Sequence, residues 1–392
     1  MRILTRYILF EYTRVLVLGL TGMTLFMLLV GVAAEAIREG LSVGPVLQIL
    51  PYILPESMRF SVPAASLLAA CTLFGRMSGD NEIVALKAQG ISPGAILMPV
   101  FVTAFLIGAA GVWVNELAVS WGRPGVSRVI LNSVEQIAYA VLRTHKSYSR
   151  DGFSITVKSV EGKRLILPII RLRDNGQGRG EFTITAREAM LRRNPENKTL
   201  SISLTDAQVE GPQGVEGSFS GDIDRVISLE RDSSRNSPSD CPLYEIPVLR
   251  DAVRREISQQ ETSLAAEAAF SLFAGDFRGL RTETWRARQA DVGQLHYRWN
   301  RFVTEPWRRW ANGFSGLFFV IVGAPLAIRL RQTDLVTTFF MAFMPILIVY
   351  YPLMAYGADQ AKTGTFPQYS VWLGNAVCLV WGLWILRRVY RY

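Results

Sequence analysis

Histidine and cysteine are scarce in this chain, and neither comes with a metal-ligand spacing. The 392 residues hold two histidines, His145 and His296, and three cysteines, Cys71, Cys241 and Cys378. No CxxC pair occurs, which argues against a zinc or other metal centre and against an intramolecular disulfide framework. Cys71 and Cys378 lie in apolar runs and read as small buried hydrophobes; only Cys241 lies in a polar region. A G-x-x-x-x-G-K-[ST] phosphate loop is also missing, so any ATP-driven work needs a nucleotide site on another chain. The long apolar runs carry no acidic, basic or histidine side chain. An intramembrane enzyme would need such groups, and a secondary transporter would need a proton or sodium site. The chain therefore reads as a non-enzyme that binds no cofactor. Charged residues make up 19%, below the roughly 25% of soluble domains. The net charge is +9, but no basic stripe interleaved with aromatics points to nucleic acid.

What the chain has in abundance is long apolar sequence. Mean hydropathy is +0.21, and the charges are segregated: 15–34 and 335–358 have none, while 225–310 are rich in Arg and Glu. A membrane-crossing helix satisfies its backbone internally, so long uncharged runs are the signal. Six stand out: Val15–Ala34, Phe60–Gly75, Ala95–Val114, Ala311–Ile328, Leu335–Tyr356 and about Tyr369–Leu386. The second is the shortest and contains Pro63; the apolar stretch Val46–Leu54 before it either lies at the interface or extends that helix. The first run is too long for the 7–15-residue core of a cleaved signal. Despite the following Ala34-Glu35-Ala36, it is expected to stay as an uncleaved span. Trp113, Trp307, Trp310 and Trp372 sit near run ends, where interfacial aromatics belong.

Lys and Arg in the short loops set the orientation. One side has Arg2, Arg6, Arg14, Arg76, Lys87, Arg329, Arg331, Arg387, Arg388 and Arg391; the other has Arg38, Arg59 and Lys362. The positive-inside rule then puts both termini in the cytoplasm and the long insert, 119–305, outside. Within the insert, Phe153/Ile155/Val157, Phe182/Ile184/Ala186 and Leu200/Ile202/Leu204 alternate with period two, which predicts half-buried strands. Turn sequences such as Asp174-Asn175-Gly176 and Asn194-Pro195-Glu196-Asn197 separate them, suggesting a small sandwich or jelly-roll. Ser233–Ser239 reads as a loop, and residues 245–305, rich in Ala, Glu and Arg, as helices returning to the bilayer.

Between the second and third spans lies Gly79-Asp80-Asn81-Glu82-Ile83-Val84-Ala85-Leu86-Lys87-Ala88-Gln89-Gly90-Ile91-Ser92-Pro93. Ser78, Asp80 or Asn81 can cap a helix start, Glu82 suits its first turn, and Gly90 suits a left-handed stop. A helix of about three turns is expected at about 80–89. So short a helix is marginal alone, so Ile83, Val84 and Leu86 either pack on this protein's own loops or dock into a partner.

Three blocks resemble the LptF/LptG family of lipopolysaccharide-export permeases. They are Ile3-Leu4-Thr5-Arg6-Tyr7-Ile8-Leu9-Phe10-Glu11, the stretch from Pro63 to Gly90, and Gly323-Ala324-Pro325-Leu326-Ala327 before the last two spans. The order of spans and insert also agrees, so the resemblance runs through nearly the whole chain. It implies an α-helical membrane protein with six transmembrane helices plus an inserted periplasmic all-β, jelly-roll-like domain. The corresponding divisions are 1–118, 119–305 and 306–392. It implies a permease of an ATP-driven ABC complex in the bacterial inner membrane that extracts lipopolysaccharide. The implied partners are two copies of a cytoplasmic ATPase, a second related permease half, a single-span accessory subunit and a periplasmic bridge protein. The family's short helix docks into the ATPase through a glutamate; that position is Glu82, with Asp80, Asn81, Ile83, Val84 and Leu86 around it. Basic residues near the outer end of the family's first helix meet the lipid phosphates. Here Arg38 stands between Glu35 and Glu39, and Arg59 at the start of the second span is a further candidate. Competing readings are a permease half of another ABC system, for lipoprotein or a hydrophobic peptide, and a non-transporting membrane assembly scaffold.

Overall fold

The computed structural model describes residues 2–39, 43–150, 153–173, 181–194, 199–210, 216–228, 237–275, 283–330 and 334–391. Among these are nine α-helices and eight β-strands. Six helices are long and apolar enough to cross a membrane. They are α1 (Arg2–Glu39), α2 (Val43–Gly79), α4 (Pro93–Leu117), α7 (Glu283–Leu330), α8 (Leu335–Thr363) and α9 (Leu373–Arg391). All six expected spans are therefore present, the first five each inside a longer helix and the sixth beginning in a 3-10 turn, Gln368–Trp372, that leads into α9. The apolar stretch 46–54 extends the second span, so the shortest run sits in a 37-residue helix. The remaining helices are α3 (Glu82–Ala88), α5 (Arg123–His145) and α6 (Ile246–Phe273).

By contacts the chain forms two compact units. One comprises Met1–Leu28, Leu54–Gly122 and Ser237–Tyr392; the other comprises Leu29–Ile53 and Arg123–Asn236. Residues from Ser237 on group with the helices because α6, part of the expected helical return, packs along α7. Ile246, Val253 and Ile257 of α6 form one apolar cluster with Phe302 of α7. His296 to Glu261, at 2.9 Å, and Arg288 to Glu267 join the same two helices.

In the helical unit α7 is the central element: 67% of its most apolar window is buried, against 6% for α1. Small residues decide which helices it meets. A Cβ added at Gly313 would stand 2.3 Å from Val112 Cγ2, and one at Gly111 would stand 3.1 Å from the Gly313 carbonyl oxygen. In lipid, where burial alone does not draw helices together, such close backbone approach is what lets them pack. Gly323 likewise faces Leu67 and Cys71 of α2. Pro325 lacks an N–H, so the Ile321 carbonyl receives no helical bond from it, and α9 comes close to that oxygen at Gly382.

In the other unit, β1 (Ser147–Arg150) to β8 (Glu216–Ser228) form one antiparallel sheet. Its axis is the long strand β6 (Glu181–Asn194), paired with β7 (Thr199–Glu210) on one edge. On its other edge it pairs first with β5 (Ile169–Arg173), then with β4 (Arg164–Ile166). The expected alternation holds: Ile155, Val157, Ile184, Ala186, Ile202 and Leu204 are buried in one core. Helix α5, absent from the sequence reading, joins that core through Tyr139 and Leu142, and Tyr139 Oη donates to the Lys163 carbonyl at 2.6 Å. The turns expected at 174–176 and 195–197 lie outside the described residues, as does 233–236 of the expected loop. Its remainder leads into a 3-10 turn, Pro238–Asp240.

Candidate functional site

The region between α2 and α4 is organised by a left-handed residue. Asn81 adopts φ 59°, and its side chain does not cap α3. Helix α3 is consequently seven residues, two turns rather than three. Ser78 is no cap either: it lies within α2, and its Oγ donates to the carbonyl of Ile328 on α7 at 2.7 Å. The far end follows expectation. Gly90 takes φ +80°, the Ile91 N–H donates to the Leu86 carbonyl at 3.1 Å, and Ser92 caps α4 ahead of Pro93.

The expected coupling residues divide between two faces. Ile83 is buried in a cluster with Phe74, Met77, Ile96 and Val389, and Leu86 packs against it. These two are anchors on the protein's own helices. Lys87 Nζ adds a bond to the Val389 carbonyl at 2.8 Å. Asp80 and Asn81 are exposed and Glu82 is half-buried; Val84 is 45% exposed. A two-turn helix that is marginal alone is therefore held firmly from one side, with a carboxylate and an apolar side chain on display.

Of the two lipid candidates, only Arg59 has a described side chain. Arg38 lies on α1, and its side chain is outside the described residues. Arg59 is half-buried, with Nη1 3.5 Å from Glu56 Oε1 and its guanidinium 5.6 Å from the Phe60 ring centre. It lines a small cavity with Pro63, Asn115 and Asn312, and Asn115 is buried with neither amide atom hydrogen-bonded.

A second polar centre was missed in the sequence. Arg309, only 1% exposed, is the largest fully buried side chain among the described residues. Its Nε donates to Glu305 Oε1 at 3.1 Å and its Nη1 to Glu116 Oε2 at 2.7 Å. Its Nη2 donates to the carbonyls of Pro238 at 3.2 Å and Cys241 at 2.6 Å. Glu116 Oε1 accepts from the Leu243 N–H at 2.8 Å. Arg308 bonds both Glu305 oxygens and Ser239 Oγ. Two residue pairs, Glu305 with Arg308 at i,i+3 and with Arg309 at i,i+4, and a fixed guanidinium fork give this network its shape. A search for uncharged runs stops at such residues, so it registered Glu116 and Arg309 only as span boundaries. The spacing of Glu305 to Arg308 and Arg309 was the readable signal; nothing local pointed to Glu116. Beside the network, burial pushes the Cys241 thiol above its ordinary value, and the Glu245 and Asp240 carboxylates push the same way.

Among the described residues no cluster of three or more His, Cys, Asp or Glu side chains is placed to hold a metal ion. Compared with curated proteins, the chain finds no match. The family described as lipopolysaccharide export system permease LptF/LptG matches residues 3–388. That match spans all six apolar helices and the sheet, and the chain belongs to the LptF/LptG family of lipopolysaccharide export permeases.

Proposed function

We propose that this permease is one half of an ATP-driven ABC complex that lifts lipopolysaccharide from the inner membrane and passes it to a periplasmic bridge protein. A second, related permease half completes the membrane part, with a single-span accessory subunit beside it. Two copies of a cytoplasmic ATPase hydrolyse the ATP, since this chain has no phosphate loop of its own. Both termini and α3 face the cytoplasm, and residues 119–305 lie on the periplasmic side. The ten-to-three bias of short-loop Lys and Arg supports that orientation. Arg38 and Arg59 are the candidates for the lipid phosphates, since Arg binds phosphate in a two-pronged way.

The observation that carries the coupling role is the split face of α3. Ile83 and Leu86 hold it on the protein's own core, while Glu82 makes no ion pair with any described residue and Val84 faces out. A carboxylate at a helix start contributes about 0.3–1 kcal/mol through the dipole. Losing one partner of a buried interface charge pair costs about 2–5 kcal/mol. Glu82→Gln should therefore release the ATPase in a pull-down while membrane insertion stays normal, and Glu82→Asp should retain more of it. Full ATPase retention and full lipid export in Glu82→Gln would refute docking through this carboxylate.

A further inference from the structure

Helix α7 is held at two places by bonds that its apolar packing does not require. Near one end, Ser78 Oγ on the last turn of α2 donates to the Ile328 carbonyl, two residues before the turn at Asp80 and Asn81 that leads into α3. That carbonyl is among the last four of α7, which have no partner within the helix. Nineteen positions earlier, about 28 Å along the helix axis, the Arg309 guanidinium grips the returning chain at Pro238 and Cys241. The same guanidinium is locked to α4 through Glu116 and to its own helix through Glu305. Arg301 and Arg308 add bonds to Ser237 and Ser239. The gripped segment, 237–243, is where the chain re-enters the helical unit after the last strand, β8.

We propose that α7 carries the conformational stroke of export from the α2–α3 turn to the 237–243 segment, with Ser78 and Arg309 as the positioning residues at the two ends of its 309–328 stretch. The proposal rests on the reading of this chain as an ATP-driven permease. Arg309 suits the role because one planar fork serves four acceptors in three directions at once. A lysine ammonium keeps the charge but cannot reproduce that geometry. Because the acceptors include two backbone carbonyls, the segment follows the helix whatever its side chains do. At the other end the hydroxyl of Ser78 ties the turn bearing α3 to a carbonyl of the same helix, so displacing α3 pulls directly on α7.

The test uses the complete complex in proteoliposomes, with ATP turnover and lipopolysaccharide release to an acceptor read in the same preparation. Arg309→Lys should lower lipid released per ATP by about tenfold, within the usual range for coupling between distant sites, with ATPase retention and turnover unchanged. Ser78→Ala should give the same kind of uncoupling. Sites this far apart ordinarily act independently. If one helix joins them, the double variant is no worse than the poorer single variant. Should Arg309→Lys fail to reach the membrane in normal amount, Glu116→Gln removes the charge from the same bond at constant size and replaces it in the cycle. Multiplying effects in the double variant, wild-type release in Arg309→Lys, or equal loss of turnover and release would each overturn the proposal. A wild-type complex that hydrolyses ATP without moving lipid would instead overturn the transport reading on which it rests.

Discussion

Arg309 Nη1 and Glu116 Oε2 lie 2.7 Å apart, joining α7 to α4 across 193 positions of sequence. Removing the arginine leaves Glu116 without its cation and Glu305 with Arg308 alone, in a largely buried setting. Breaking one side of a buried ion pair costs about 3–5 kcal/mol. Arg309→Leu should lower the thermal unfolding midpoint of the purified protein markedly. Glu116→Gln should cost less, on the order of 1–3 kcal/mol, because it still accepts the Leu243 N–H and leaves Arg309 its bond to Glu305. Equal midpoints for wild type and Arg309→Leu would show that this network contributes nothing to stability.

Ile83 and Val84 are neighbours on α3, the first buried and the second exposed. Truncating a buried isoleucine costs about 2–5 kcal/mol, so Ile83→Ala should loosen the α2–α4 connection. Proteolysis or hydrogen exchange at residues 80–92 would register it. Val84→Ala removes an exposed side chain and should leave the fold unchanged while weakening ATPase retention. Reversed effects of the two substitutions would overturn the assignment of faces.

Gly313 sits where α4 and α7 touch. An added methyl would meet Val112 Cγ2 at 2.3 Å and the Val112 backbone nitrogen at 2.8 Å. Part of that contact is backbone, so it cannot rotate away. Overpacking of this kind costs about 1–3 kcal/mol, and Gly313→Ala should lower the unfolding midpoint accordingly. Gly22→Ala is the control, since nothing stands within 4 Å of its added Cβ. It should leave the midpoint unchanged or slightly raised.

Cys241 supplies a pH prediction. Its thiol is raised above the ordinary value chiefly by burial, so the folded chain holds that proton at a pH where the unfolded chain has lost it. Stability is therefore full below the ordinary thiol pKa of about 8.5 and falls as pH rises through and beyond it. Cys241→Ala should flatten the alkaline decline of the unfolding midpoint. Maleimide should label Cys241 more slowly at pH 8 in the folded protein than in urea, since only the thiolate reacts. Equal rates would contradict the burial.

Much of the architecture was legible in the chain because its signals are local. A span announces itself by twenty uncharged residues in a row, and a half-buried strand by alternation such as Ile202, Ser203, Leu204. Glu82 and Gly90 could be placed near the ends of a short helix for the same reason. Helix α5 escaped notice because its apolar face becomes visible only when Tyr139 and Leu142 meet the sheet. Ser78 read as one of three possible caps, with Asp80 and Asn81, because a serine near a helix end commonly is one; its actual acceptor, the Ile328 carbonyl, is 250 positions away.

The sequence by itself determined the six spans, the β insert between the third and fourth, the helical return and the family. Hydropathy and period depend only on neighbouring residues, and the family blocks are read from the residues in order. Tertiary structure alone decided that Ile83 points inward and Val84 outward. It also decided that Asn81 turns left-handed and cuts α3 to two turns, and that Arg309 gathers α4, α7 and the returning chain around one guanidinium. Those outcomes depend on which distant carbonyls and carboxylates arrive beside a given side chain, and no window along the chain contains them.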